Sequence, residues 1–221
     1  MFGLPLDPIL LVPFMLAGIL VNVTPGADVG FVLASGLRGG KRRGMAAALG
    51  ISLGSLLHTA LAAMGVAALL HSHVWAYDAL RYLGAVYLAV LAWRAWAGAC
   101  APLSARGAKG MRRAVIQGFM TNILNPKVAL FVLAFLPQFT NPAVGPVWQQ
   151  MLLLGGLFTS TGLIVTIGYG VLAGTVSTHL QRHERRLEKI SAVAFGGLAA
   201  RMAWQYEGLR PWQNFQQPRA L

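Results

Sequence analysis

Charge is the scarcest property of this chain. Of its 221 residues only 11% are Asp, Glu, Lys or Arg, and just 6 are acidic. Soluble domains carry about 25% charged residues, so an ordinary water-facing surface is excluded. Cysteine is almost absent as well. Cys100 stands alone, which rules out an internal disulfide and any thiolate metal cluster. No Lys or Arg precedes the first apolar run, so a cleaved leader is not expected and that run reads as a retained helix. The Walker, His-Glu-x-x-His and Cys-x-x-Cys patterns are missing, and no Ser/His/Asp set can be assembled. An enzyme is therefore not expected, and no catalytic residue, metal site or cofactor is assigned.

Apolar residues make up 56% of the chain and the mean hydropathy is +0.60. A core of this size cannot hide so much apolar surface, so lipid is the expected solvent. A bilayer core of about 30 Å needs about 20 apolar residues per helix. Six stretches qualify: residues 8–36, 45–70, 76–98, 114–137, 148–176 and 190–206, followed by a polar tail at 207–221. All belong to one transmembrane domain.

The few charges are lopsided, 18 basic against 6 acidic. In water such an excess suggests nucleic acid. Here the basic residues sit between apolar stretches: Arg38, Lys41, Arg42 and Arg43; Arg106, Lys109, Arg112 and Arg113; Arg182, Arg185, Arg186 and Lys189. Basic loops stay in the cytoplasm. The connections at 71–75 and 138–147 carry none. Six crossings then place all three basic loops inside, including the loop at 99–113, and both termini outside. Nucleic acid is not an expected partner; membrane lipid is.

An ungapped repeat lies at an offset of 100 residues. Residues 18–34 read GILVNVTPGADVGFVLA and 118–134 read GFMTNILNPKVALFVLA, with six identities: Gly18/Gly118, Asn22/Asn122 and the Phe-Val-Leu-Ala quartets at 31–34 and 131–134. Each copy opens a set of three helices. Three is odd, so the halves are expected upside down relative to each other, a plan common among secondary transporters. The expected fold is all-α: six transmembrane helices as two inverted three-helix repeats (about 8–98 and 114–206), with the first and fourth helices broken at proline.

Both copies put Asn and Pro mid-helix: Asn22-Val23-Thr24-Pro25-Gly26 and Asn122-Ile123-Leu124-Asn125-Pro126-Lys127. Proline removes an N–H and clashes with the carbonyl four residues back. The freed backbone groups need partners other than lipid, and a broken helix offers them to a substrate or ion. A plain packing kink explains one such proline; two at matched places favour a shared site. Asp28 and Lys127 are the only charges deep within the apolar stretches. A charge at mid-membrane costs about 2.5–3.5 kcal/mol on the mildest scale. Their mutual pairing is expected, and Asp28 is a candidate proton carrier; a structural ion pair is the plainer alternative. His58 shares a helix face with Gly50 and Gly54. It reads first as a hydrogen-bonded packing residue and second as a proton relay. The fifth stretch, with Gly155, Gly156, Thr159, Ser160, Thr161, Gly162 and Thr166, serves packing or lines a path.

These residues together resemble a family. Thr24-Pro25-Gly26 with Asp28 and Gly36-Leu37-Arg38 form one signature, and ALGISLG at 48–54 leads to His58. Gln117-Gly118-Phe119, Asn122, Asn125-Pro126-Lys127 and FLPQF at 135–139 form the second. The pattern is similar to the lysine exporter (LysE) superfamily, and within it the RhtB group of threonine and homoserine lactone exporters, over residues 8–206. The resemblance implies efflux of amino acids or close derivatives across the bacterial inner membrane, driven by an ion gradient, with H+ the expected coupling ion. Ala27 replaces the family's usual second proline, which points to a milder first break. The resulting candidate site is Asn22, Thr24, Pro25, Gly26, Asp28, His58, Asn122, Asn125, Pro126 and Lys127. Rival readings are a channel, a metal-ion exporter like more distant relatives, and a structural membrane protein. The glycines at 36, 40, 44, 50 and 54 leave a homo-oligomer open.

Overall fold

The computed structural model describes residues 5–72 and 107–173, with scattered residues at 86–97 and 186–200. Among them every regular element is helical. Helix α1 spans Pro8–Val23; Asp7 caps it by accepting a 3.0 Å hydrogen bond from the Ile9 N–H, and Pro8 fits the first turn, where no N–H is needed. Helix α2 spans Ala27–Ser72 and contains two non-helical residues, Gly39 and Gly40, the latter at φ 69°. A side chain built on Gly36 would meet the Gly170 carbonyl oxygen at 2.5 Å, and one built on Gly44 would meet that same atom at 2.6 Å. Eight residues of straight helix span about 12 Å. The chain therefore doubles back at Gly39–Gly40, where the positive φ suits glycine, and α2 is two arms, residues 27–38 and 41–72. Helix α3 is Met111–Ile123. Helix α4, Pro126–Leu130, runs on through a π-turn, Phe131–Phe135, and a 3-10 turn, Leu136–Phe139. Helix α5 is Val147–Val171.

Burial along the second arm of α2 is inverted relative to a soluble protein. Ser52, Ser55, His58 and Thr59 are buried, whereas Leu49, Leu53, Leu56, Leu57 and Leu61 are exposed. Polar groups inside and leucine outside make sense only where the surroundings are hydrocarbon. By length and composition Val147–Val171 can cross a membrane, and so can Ala27–Gly65, a stretch that includes the turn at Gly39–Gly40; the pair Met111–Ile123 and Pro126–Phe139, bent by 53°, makes a third if taken as one span. The chain is a multi-pass membrane protein.

Small residues set how closely the helices approach. Gly50 lies against the Val115 backbone and Gly118 against Ala47, so α2 and α3 pack nearly backbone to backbone. Gly44 meets Gly170 in the same way on α5. These glycines thus pack within one chain. A second core is aromatic: Phe131 stacks on Phe158 at 4.6 Å, and Phe135 lies 4.7 Å from both Phe131 and Phe139. The repeated Phe-Val pair is buried in both copies, Phe31-Val32 and Phe131-Val132.

The first stretch is interrupted at Thr24–Gly26, at the proline where a break was expected. Its end needs correction: the basic residues at 38–43 lie not in an open loop but at a turn on two glycines. The substitution of Ala27 for proline does not keep the helix whole: Thr24 is extended (ψ 122°) and α2 starts afresh at Ala27. The fourth stretch begins at Met111 and carries its bent C-terminal half to Phe139. The third and sixth stretches and the tail at 207–221 fall outside the described residues, apart from a few positions. Among those few, Lys189 Nζ lies 5.9 Å from the Trp96 ring centroid.

Candidate functional site at two helix breaks

The interruption of α1 leaves its last carbonyls short of helical partners, and side chains of other elements or of the break itself supply most of what they accept. Leu20 O accepts from Thr24 N (2.9 Å) and Thr24 Oγ1 (2.6 Å). Val23 O accepts from the Tyr169 hydroxyl of α5 at 2.9 Å. Val21 O and Thr24 O accept from Lys127 Nζ at 2.6 and 2.9 Å. A cation at the carbonyl end of a helix is favoured by the helix dipole. Lys127 reaches there because Asn125 caps α4, its Oδ1 accepting the Lys127 N–H at 3.0 Å, which fixes the residue in the first turn.

Asp28 occupies the mirror role, in the first turn of α2, where a negative charge suits the helix N-terminus. Its Oδ2 accepts from Asn122 Nδ2 at 2.8 Å. The Asn125 side chain also lies within reach of the carboxylate; among the described residues no donor is placed on Asp28 Oδ1 or Asn122 Oδ1, both of which are buried. An unpaired buried acceptor costs about 1–3 kcal/mol, so these two atoms mark a place for a donor.

The two repeat asparagines each lie over a glycine of another helix, with different amide partners. Asn22 on α1 donates to Phe158 O and Thr161 Oγ1 of α5, both at 3.1 Å, and lies over Gly162. Asn122 on α3 lies over Gly54 of α2, and its backbone carbonyl oxygen is 3.3 Å from His58 Nε2. Between them is a cavity of about 40 Å³ lined by polar Asn22, Thr24, Asp28, Asn122, Asn125 and Lys127 from the breaks and by Ser52, Ser55, Thr159 and Thr166 from α2 and α5. Val21, Val29, Ile51, Val128 and Phe158 supply its apolar wall. One water needs about 10–15 Å³, so the space admits a small charged head group or a few waters.

Against known proteins, the LysE type translocator family matches residues 19–206. The chain belongs to that family. Relatives include an uncharacterized membrane protein of Vibrio cholerae, 28% identical over 86% of this chain and 94% of its own. A homoserine/homoserine lactone efflux protein of Salmonella typhimurium is 27% identical over 84% and 89%. A leucine efflux protein of Enterobacter sp. is 28% identical over 86% and 93%. No solved structure matches.

As a LysE type translocator the chain is not an enzyme, and its signature residues divide by location. Asn22, Thr24, Gly26, Asp28, Asn122, Asn125 and Lys127 come together around the cavity. Pro25 and Pro126 make the breaks that put them there. His58 does not line the cavity; it is buried beside Asn122, one helix turn beyond Gly54, as a packing residue would be. Asp28 and Lys127 meet at this cavity, each with hydrogen-bond partners in the opposite repeat: Asn122 for Asp28, and the carbonyls of Val21 and Thr24 for Lys127. Sequence reading missed Ser52 and Ser55. Ser55 Oγ is 2.9 Å from Thr159 Oγ1. Their signal was available: hydroxyls at i and i+3 on the same face as His58, in a run otherwise rich in leucine.

Proposed function

We propose that the chain is a secondary active exporter of neutral amino acids or close derivatives across the bacterial inner membrane, coupled to protons. One observation carries this reading: a small mid-chain cavity is lined by one carboxylate, one ammonium and the ends of two broken helices. The substrate's ammonium goes to Asp28 Oδ1 and Asn122 Oδ1, and its carboxylate to Lys127. Among the described residues the lining holds a single acidic residue, so a dibasic amino acid would bring a second cation with no counter-charge there. At about 2.5–3.5 kcal/mol that disfavours lysine and arginine by about a hundredfold. The apolar wall suits an aliphatic or short hydroxyl side chain, in keeping with relatives named for leucine and homoserine.

The inverted six-helix repeat belongs to the same proposal. Asn22 of one half locks onto Gly162 of the other, and Asn122 onto Gly54 in return. That reciprocity is what a two-fold relation between halves produces. Alternating access then follows from one half rocking on the other, with the basic turn at 38–43 in the cytoplasm.

Everted membrane vesicles with an acidic interior test the activity. They should accumulate leucine or threonine several-fold over vesicles lacking the protein, and lysine should not be accumulated. Lys127→Ala should reduce accumulation to background. Failure with every neutral amino acid and homoserine derivative tested would end the proposal.

A further inference from the structure

The carbonyl end of α1 is a cation site that already holds a cation. Val21 O and Thr24 O converge on one ammonium at 2.6 and 2.9 Å. Both belong to a helix terminus, where the dipole adds to their partial negative charge. Thr24 is buried and Val21 is only 2% exposed, so bulk water does not supply the missing ligands. In transporters with interrupted helices, freed carbonyls of this kind bind the coupling sodium or proton. Here the occupant is covalently tethered. The lysine stem runs close over the break: a Cβ built on Gly26 would lie 3.8 Å from Lys127 Cδ and 3.9 Å from Nζ, in ordinary contact with both.

We infer that the broken end of α1 is a monovalent-cation site whose resident ion is the Lys127 ammonium, that this makes transport indifferent to sodium, and that removing the tethered cation opens the site to a free one. The inference rests on the exporter reading for its bearing on transport, but the binding itself does not. Lys127 is then a positioning group as well as a carboxylate partner. When substrate draws the ammonium away from Val21 and Thr24, those carbonyls lose their partner, which couples occupancy of the cavity to the geometry of the first break.

The test compares thermal unfolding in detergent with sodium, potassium or methylammonium against choline, which is too large for the site. The parent protein should melt at the same temperature in all four. Lys127→Ala and Lys127→Met should melt lower than the parent in choline and recover by about 3 °C or more at saturating levels of at least one small cation. A parent that is itself stabilised by sodium overturns the inference. So do variants that melt alike in every salt, or that fail to fold in all of them, since an open site would accept an ion. These readings require no transport. If no amino acid is exported yet the variants respond to cations, the exporter reading fails and the cation site stands.

Discussion

At the residue scale the decisive atom is Asp28 Oδ1. Its twin, Oδ2, is held by Asn122, and Asn125 lies within reach of the carboxylate, yet among the described residues Oδ1 is buried with no donor placed on it. A buried carboxylate facing the cavity can be matched by a substrate ammonium or by a proton, and alternation between those two is what an antiporter needs. Replacement by Asn keeps the shape and removes both the charge and the exchangeable proton. Asp28→Asn should therefore abolish uphill accumulation driven by a pH gradient. Counterflow down a substrate gradient should fall less, by about tenfold, because Lys127 and the asparagines still bind. Accumulation in Asp28→Asn vesicles that still follows the pH gradient would remove Asp28 from coupling.

At the element scale, the approach of α2 to α3 and α5 depends on positions where no side chain fits. A methyl on Gly50 would collide with the Val115 carbonyl, a backbone atom that cannot rotate away, while one on Gly156 meets nothing within 4 Å. Gly50→Ala should cost about 1–3 kcal/mol by overpacking; Gly156→Ala should be neutral or gain up to about 1 kcal/mol from helix propensity. Melting curves of the two variants give opposite signs if the packing is as described. This contrast also marks what a sequence can and cannot disclose. The breaks at Pro25 and Pro126 were legible because proline's effect is local, and the charges Asp28 and Lys127 stood out because lipid leaves charge nowhere else to go. The face shared by Gly50, Gly54 and His58 followed from helical spacing. The hairpin at Gly39–Gly40 was not legible as such. A Gly-Gly pair among basic residues looks like any loop, and its tightness comes from Gly36 and Gly44 both meeting Gly170, a contact 126 or more residues away in sequence. The partners of Lys127 were hidden for the same reason: carbonyls have no letter in a sequence, so an opposite charge was the natural expectation.

At the scale of the whole molecule the two ends are unlike. At one, Arg43 Nη1 donates to Ala108 O at 3.3 Å, bringing the basic turn at 38–43 beside the basic start of α3. At the other, Asn141 joins the halves: its Nδ2 donates to Asp7 Oδ2 at 3.0 Å, while Gln150 donates to the Asn141 and Gly145 carbonyls at 2.8 Å and accepts from the Asn141 N–H at 2.8 Å. Gln150 is fully buried, so among the described residues the cap of α1 is clasped at this end to the connection before α5. With the basic turn on the cytoplasmic side, as proposed above, substrate leaves at this end, and the Asp7–Asn141 tie is then expected to part once per cycle. Cysteines at both positions, in a Cys100→Ser background, would make the tie covalent under oxidation. The double variant, Asp7→Cys with Asn141→Cys, should lose export when oxidised, regain it with a reductant, and keep binding substrate throughout. Each single variant should transport in either condition, at a cost of about 1 kcal/mol in stability for the lost cap in Asp7→Cys. Undiminished export by a fully cross-linked protein would mean that this end never opens, and the rocking of one half against the other would have to be abandoned.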